Sequence, residues 1–150
     1  IYSNQISGEI PSEIGNLDNL EKLYLQNNQL EGSITFISSL TNLEFLYLYK
    51  NQFSGEMPSE IGNLTNLNTL DLRYNQFSGE VPSEIGNLIN LNYLKLGNNY
   101  FTGVIPFSIC DLDILWAENN FFDINENQFC PPYPFCIEYY IGVQDTTNCD

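Results

Sequence analysis

Residues 54–77 read S-G-E-M-P-S-E-I-G-N-L-T-N-L-N-T-L-D-L-R-Y-N-Q-F, and residues 78–101 read S-G-E-V-P-S-E-I-G-N-L-I-N-L-N-Y-L-K-L-G-N-N-Y-F. The same string opens a third time at Ser7, as S-G-E-I-P-S-E-I-G-N-L. Stacking the copies aligns Gly8, Gly32, Gly55, Gly79 and Gly103, at spacings of 24, 23, 24 and 24 residues. A fixed period of this size marks stacked coils, each too small to bury its apolar face alone. Between the glycines runs L-x-x-L-x-L-x-x-N-x-(L/F), as in Leu67, Leu70, Leu72, Asn75 and Phe77. In L-x-L the two apolar side chains point to one face of a short strand and the residue between them to the other. Leu23/Leu25, Leu46/Leu48, Leu70/Leu72 and Leu94/Leu96 are therefore the predicted core stripe.

Asn4, Asn28, Asn51, Asn75, Asn99 and Asn127 fall one per coil, and a side-chain amide supplies both donors and an acceptor for turn backbone that burial would leave unpaired. Phe53, Phe77, Phe101 and Phe129 are expected to stack behind them as a spine. The Ile-Pro segments lack an amide hydrogen where a central strand needs one, so they are predicted to cover the convex side as extended or 3₁₀ turns. The copy beginning at Glu31 is one residue short and has Thr35 in the proline position. The last strand is displaced. Phe122, Ile124, Asn127 and Phe129 match the spacing, yet Leu94 to Phe122 is 28 residues, which predicts an insertion at residues 116–120. A second register uses Leu115, Ala117, Asn120 and Phe122, but forfeits the N-Q-F ending shared by residues 51–53 and 127–129.

These motifs resemble the leucine-rich-repeat family. The G-x-I-P-x-x-I-G-x-L signature is similar to the plant-type subclass of receptor ectodomains and polygalacturonase-inhibitor-like proteins, and to repeats in secreted microbial and protist proteins. The resemblance covers about residues 1–129. It implies an α/β solenoid with a parallel β-sheet on the concave face and 3₁₀ or extended segments on the convex face. About five strands plus a partial first one occupy residues 1–129, and residues 130–150 form a C-terminal cap.

The cap is read from the cysteines. Cys110, Cys130, Cys136 and Cys149 all lie near the C-terminal end, which points to disulfides and an oxidising, extracellular compartment, secreted or at the cell surface. A zinc site is the alternative, but there is no C-x-x-C pair and no histidine. Four cysteines permit three pairings. Superposing Pro131 on the glycine column sets Cys136 within two positions of Cys110, which favours Cys110–Cys136 and leaves Cys130 with Cys149. The cap departs from the cysteine pattern of plant receptors. The first coil has no counterpart to it, so further repeats or a self-association partner are expected ahead of Ile1.

Composition narrows the function. Four Lys+Arg against 19 Asp+Glu give a net charge of −15, which disfavours nucleic acid, and no apolar run is long enough to insert in a membrane. Hydrophobic content of 43% argues against disorder despite that charge. The absence of histidine removes the usual neutral base, and no nucleophile–base pair is evident, so no enzyme and no cofactor or metal are expected. Asp71 and Asp123, two strands apart in one column and roughly 10 Å by strand spacing, are too loose a basis for a carboxylate pair.

Residues flanking and alternating with the core leucines face the concave side. They include Lys22, Tyr24, Phe45, Tyr47, Tyr49, Lys50, Asp71, Arg73, Tyr74, Tyr93 and Lys95. All four cations of the chain fall there, as do Tyr2, Tyr24, Tyr47, Tyr49, Tyr74 and Tyr93, six of the ten tyrosines. Tyrosine also suits any strand, and lysines offset an acidic back, so the bland explanation is β-propensity and charge balance. The sharper expectation is a recognition surface for a protein, a peptide or a carbohydrate, since Tyr and Arg dominate binding hot spots. Two alternatives stand beside it: a self-assembling structural repeat, and an ice or mineral binder, against which the irregular concave columns argue. Asn63-Leu64-Thr65 is the one N-x-S/T sequon, a candidate glycosylation site on a loop. Trp116 is expected to plug a gap below the cap rather than serve as an exposed ligand platform.

Overall fold

A computed structural model describes residues 2–116 and 121–149. Among the described residues are eleven short strands and five 3₁₀ turns, with two strands between successive turns. In chain order the strands are β1 (Ser7–Glu9), β2 (Lys22–Tyr24), β3 (Gln29–Gly32), β4 (Phe45–Tyr47), β5 (Gln52–Glu56), β6 (Thr69–Asp71), β7 (Gln76–Gly79), β8 (Tyr93–Lys95), β9 (Tyr100–Val104), β10 (Phe122–Asp123) and β11 (Gln128–Cys130). The even-numbered strands form a five-stranded parallel sheet in the order β10-β8-β6-β4-β2, with Leu46 opposite Leu23, Leu70 opposite Leu46 and Leu94 opposite Leu70. Phe122 pairs with Leu94, so the register ending in N-Q-F is the one adopted. The insertion expected before this strand lies mostly outside the described residues; Trp116, at its edge, is half-buried and meets Phe122 edge-on at 5.0 Å.

The odd-numbered strands form a second parallel sheet, β1-β3-β5-β7-β9-β11, which the repeat pattern did not announce. It runs through the Ser-Gly-Glu segments and their counterparts, just ahead of Ile10-Pro11, Met57-Pro58, Val81-Pro82 and Ile105-Pro106, whose prolines immediately precede the 3₁₀ turns Ser12–Asn16, Ser59–Asn63, Ser83–Asn87 and Phe107–Asp111. The fifth turn, Thr35–Ser39, follows Ile34 in the copy without proline. Gly79 is required here twice over. Its φ is +73°, and an added Cβ would lie 2.8 Å from Glu56 Cγ of the preceding coil.

The two sheets and the turns enclose one core of leucines, isoleucines and phenylalanines. Rings of Phe53, Phe77, Phe101 and Phe129 stack at 6.4, 6.0 and 6.1 Å with interplanar angles of at most 12°. Beside them the asparagine ladder spans successive coils. Asn75 Nδ2 donates to the Leu48 and Leu72 carbonyls at 3.0 Å, and its Oδ1 accepts from Phe53 N–H at 3.0 Å. Asn99 repeats this on Leu72, Leu96 and Phe77, and Asn127 on Leu96, Ile124 and Phe101. Each buried amide thereby pairs three backbone groups that no ladder hydrogen bond reaches.

The ladder ends on the cap. Gln144 Nε2 donates to the Ile124 and Ile141 carbonyls, and its Oε1 accepts from Phe129 N–H, so a glutamine takes the place of the next asparagine. Glu126 N–H donates to the Val143 carbonyl at 2.7 Å and Asp145 N–H to the Asn127 carbonyl at 2.8 Å, pairing this segment to the last coil. Disulfides join Cys110 to Cys136 and Cys130 to Cys149, with Cα–Cα distances of 5.7 and 5.6 Å.

Candidate recognition surface

Strand alternation turns Lys22, Tyr24, Phe45, Tyr47, Thr69, Asp71, Tyr93 and Lys95 away from the leucines, onto the open face of the five-stranded sheet. The chain then turns out of the sheet through a residue in the left-handed region: Ser3, Asn27, Lys50, Tyr74, Asn98 and Glu126 all have φ between 53° and 59°. Asparagine tolerates this conformation, but Lys50 and Tyr74 pay a steric cost for it. Both sit at the rim of the concave face, with Lys50 Nζ 5.7 Å from the Tyr74 ring centre.

The face has two unlike halves. Over β2 and β4 it is aromatic. Tyr24 meets Tyr47 edge-on at 5.2 Å, Tyr47 meets Tyr49 edge-on at 6.4 Å, and Lys22 Nζ lies 5.2 Å over the Phe45 ring. These are favoured quadrupole and cation–π arrangements that hold the rings in place. Burial pushes the Tyr47 hydroxyl above its ordinary value, partly countered by a hydrogen bond with Thr69. Gln26 Oε1 is buried beside this half and has no partner among the described residues.

Over β6, β8 and β10 it is ionic. Arg73 grips Asp71 with both arms, Nε to Oδ1 at 2.9 Å and Nη2 to Oδ2 at 2.7 Å, and reaches toward Asp123 Oδ2 at 3.7 Å. The Asp71 hydrogen bond raises the guanidinium further above its already high value. The planar fork also lies 5.8 Å from the Tyr49 ring centre, tying the halves together. Gly97 leaves room for Asp123: a Cβ there would come within 2.6 Å of its Oδ1. Lys95 is half-buried, and burial first, then the Arg73 charge, lowers its amine below the ordinary lysine range.

Of the residues expected on this face, Asp71 is only 2% exposed, so its carboxylate fixes Arg73 and is not offered to solvent. Tyr93 stacks on Phe121 at 4.6 Å at the other edge. Among the described residues, no ion pair forms at Lys22, Lys50 or Lys95. No cluster of His, Cys, Asp or Glu among them has the makings of a metal site. The left-handed column and the Arg73–Asp71–Asp123 triad were not anticipated. The first carries no Gly signature, and the second adds Asp123, two coils away, to an Asp71–Arg73 pair two residues apart.

Residues 27–117, more than half of the chain, match the leucine-rich repeat region family. No curated protein sequence matches. Among solved structures, the ectodomain of the Arabidopsis thaliana membrane receptor kinase GASSHO1/SCHENGEN3, in complex with CASPARIAN STRIP INTEGRITY FACTOR 2, is 41% identical with a TM-score of 0.79. That alignment covers 86% of this chain and 15% of that one. The Arabidopsis receptor kinase HAESA, in complex with the peptide hormone IDA and the co-receptor SERK1, is 39% identical with a TM-score of 0.81, over 87% of this chain and 21% of that one. A plant ice-binding protein is 32% identical with a TM-score of 0.75, over 86% and 41% respectively. The chain thus spans less than a quarter of the two receptor ectodomains. Repeat spacing, two parallel sheets, asparagine ladder and these likenesses agree: the chain belongs to the leucine-rich-repeat family, in its plant-type extracellular subclass.

Proposed function

We propose that this chain is a non-catalytic, extracellular recognition module whose concave face holds an extended polypeptide segment carrying acidic side chains. The observation that carries this reading is the distribution of charge. A protein of net charge −15 keeps all four of its cations on one surface, and three of them, the lysines, have no carboxylate partner among the described residues. An acidic segment would pair with Lys22, Lys50 and Lys95 while its apolar groups lie against Tyr24, Tyr47 and Tyr49. Arg73, already neutralised by Asp71, acts as a rigid brace and aromatic partner. The peptide hormone bound to the HAESA ectodomain makes a peptide the favoured ligand class, and the two disulfides suit an oxidising compartment. A glycan stacked on the tyrosines is the other ligand class compatible with these rings.

Asn63 is exposed at the end of its 3₁₀ turn, with Thr65 exposed beside it, so a glycan there would stand on the convex side and leave the concave face clear. The likeness to a plant ice-binding protein supports a second reading, in which a regular polar row such as Asn42, Asn66 and Asn90 meets an ordered surface. A thermal-hysteresis assay separates the two.

The test is selection of peptides from a displayed library, with a glycan array in parallel, using the wild type and a Tyr24/Tyr47/Tyr49/Arg73→Ala variant. Enrichment of acidic peptides by the wild type, with affinity reduced at least about 10-fold in the folded variant, is the expected result. Equal binding by the variant would refute the assignment.

A further inference from the structure

The left-handed column at the rim of the concave face is filled unevenly. Its backbone is held from coil to coil whatever the side chain: Asn27 N–H donates to the Tyr49 carbonyl at 3.0 Å, Lys50 N–H to the Arg73 carbonyl at 2.9 Å and Tyr74 N–H to the Gly97 carbonyl at 3.1 Å. The stack therefore imposes the positive φ, and the residue type decides only what that conformation costs. Ser3 stands at one end of the column and Glu126, whose N–H the cap takes, at the other. Next inward come Asn27 and Asn98, a residue type suited to the left-handed region. Between these asparagines the two middle coils carry Lys50 at φ 55° and Tyr74 at φ 56°. Asparagine serves the fold on either side of them, so their strain points to what the two side chains reach.

Both belong to a crossed pair of contacts. The Arg73 guanidinium lies 5.8 Å from the Tyr49 ring centre, and Lys50 Nζ lies 5.7 Å from the Tyr74 ring centre. Cation and ring thus exchange places between adjacent coils, at the junction of the aromatic and ionic halves. The two cations differ in what they leave open. Arg73 is committed to Asp71 and Asp123, whereas Lys50 is exposed and forms no ion pair among the described residues. Tyr49 is half-buried, whereas Tyr74 is 47% exposed.

We infer that Lys50 and Tyr74 are the specificity-determining pair of the concave face, an inference that rests on the function proposed above. Lys50 pairs with a carboxylate of the bound segment, and the exposed side of the Tyr74 ring packs on a bulky apolar side chain beside it. An extended segment crossing the strands presents alternate side chains to the face about 6.6 Å apart, close to the 5.7 Å between Lys50 Nζ and the Tyr74 ring centre. The segment recognised therefore carries an acidic residue two places from a bulky apolar one.

Peptide selection from a displayed library, followed by titration of the enriched peptides against variants of the full chain, tests this. Lys50→Asn and Tyr74→Asn give these coils the residue their neighbours carry. Each should weaken peptide binding at least about 10-fold while the melting temperature holds or rises by about 2–4 °C, because the steric cost is relieved. A merely structural pair would lower the melting temperature when replaced. Tyr74→Phe keeps the ring and should bind within about 3-fold of the wild type. Selection on Lys50→Glu should enrich peptides with a basic residue in place of the acidic one. Lys50→Met, which retains the stem without the charge, gives the affinity readout should Lys50→Asn not fold. Asparagine variants that bind like the wild type, affinity lost only alongside a lowered melting temperature, or Lys50→Glu enriching the same acidic peptides would overturn the inference. Peptide binding untouched by Tyr24/Tyr47/Tyr49/Arg73→Ala would instead remove the whole concave face from recognition, and this pair with it.

Discussion

On each strand of the five-stranded sheet, alternate residues follow opposite rules. Those that point inward are leucine over leucine from β2 to β8, and past the sheet each coil keeps the rule, asparagine over asparagine and, in the six-stranded sheet, phenylalanine over phenylalanine. Those that point outward never settle into a column. Tyr24 and Tyr47 are followed by Asp71, Lys95 and Asp123, and Tyr49 by Arg73 and Gly97. The inner set must satisfy the same geometric demand in every coil, because each coil is both floor and roof to its neighbours. The outer set is released from that demand. Its variation is where a ligand can be specified.

The contrast can be broken from the inside first. Phe77→Ala removes the middle of a four-ring stack that is closed to solvent and should cost about 3–5 kcal/mol of unfolding free energy, read by denaturant titration. A loss below about 1 kcal/mol would mean the spine is not continuous core. Next in size is Asn75→Ala, which strands the Phe53 amide and leaves the Leu48 and Leu72 carbonyls with one asparagine donor each, from Asn51 and Asn99, and should cost about 1–3 kcal/mol. Its effect should exceed that of Asn4→Ala, whose exposed side chain bonds the Tyr2 carbonyl alone among the described residues. From the outside, Asp71→Asn breaks the two-armed grip on Arg73 and should lower stability by about 1–2 kcal/mol while loosening the ring of Tyr49 beneath the guanidinium. A Tyr49 ring as ordered as before, judged by NMR line shapes, would show that Arg73 does not brace it.

The smallest effect concerns Lys95. Its amine is lowered from the model-compound value of 10.5 by burial and by Arg73, so the folded chain pays for keeping it charged. That penalty is present at neutral pH. It fades as pH rises through the lowered folded value and is gone above about 10.5, where the unfolded amine is also neutral. Lys95→Met should therefore stabilise slightly near pH 7, with the advantage shrinking in alkaline solution. An NMR titration placing the Lys95 amine at or above 10.5 would contradict the assigned burial.

Leu70, Asn75 and Phe77 could be assigned their roles from the sequence because periodicity repeats the same physical problem in each coil, and the solution shows as a column. The odd-numbered strands escaped the same reading. Ser-Gly-Glu carries no apolar alternation, and the glycine at positive φ looks like a turn until β5 and β7 are seen to pair. Gln144 escaped because it completes the asparagine ladder from a segment with no repeat at all. On the concave face the residue list was legible, but its electrostatics were not. Whether Asp71 faces solvent or lies beneath Arg73 depends on where neighbouring coils put Tyr47, Tyr93 and Asp123, which no single repeat encodes.

The division between inner and outer residues is tested most directly by hydroxyl-radical footprinting of the full chain, free and with a peptide selected from the displayed library. The account predicts that Tyr24, Tyr47, Tyr49 and Tyr74 are protected by the peptide while Tyr139 on the cap reacts as before. Protection confined to the cap or the convex side, with the concave tyrosines unchanged, would contradict it.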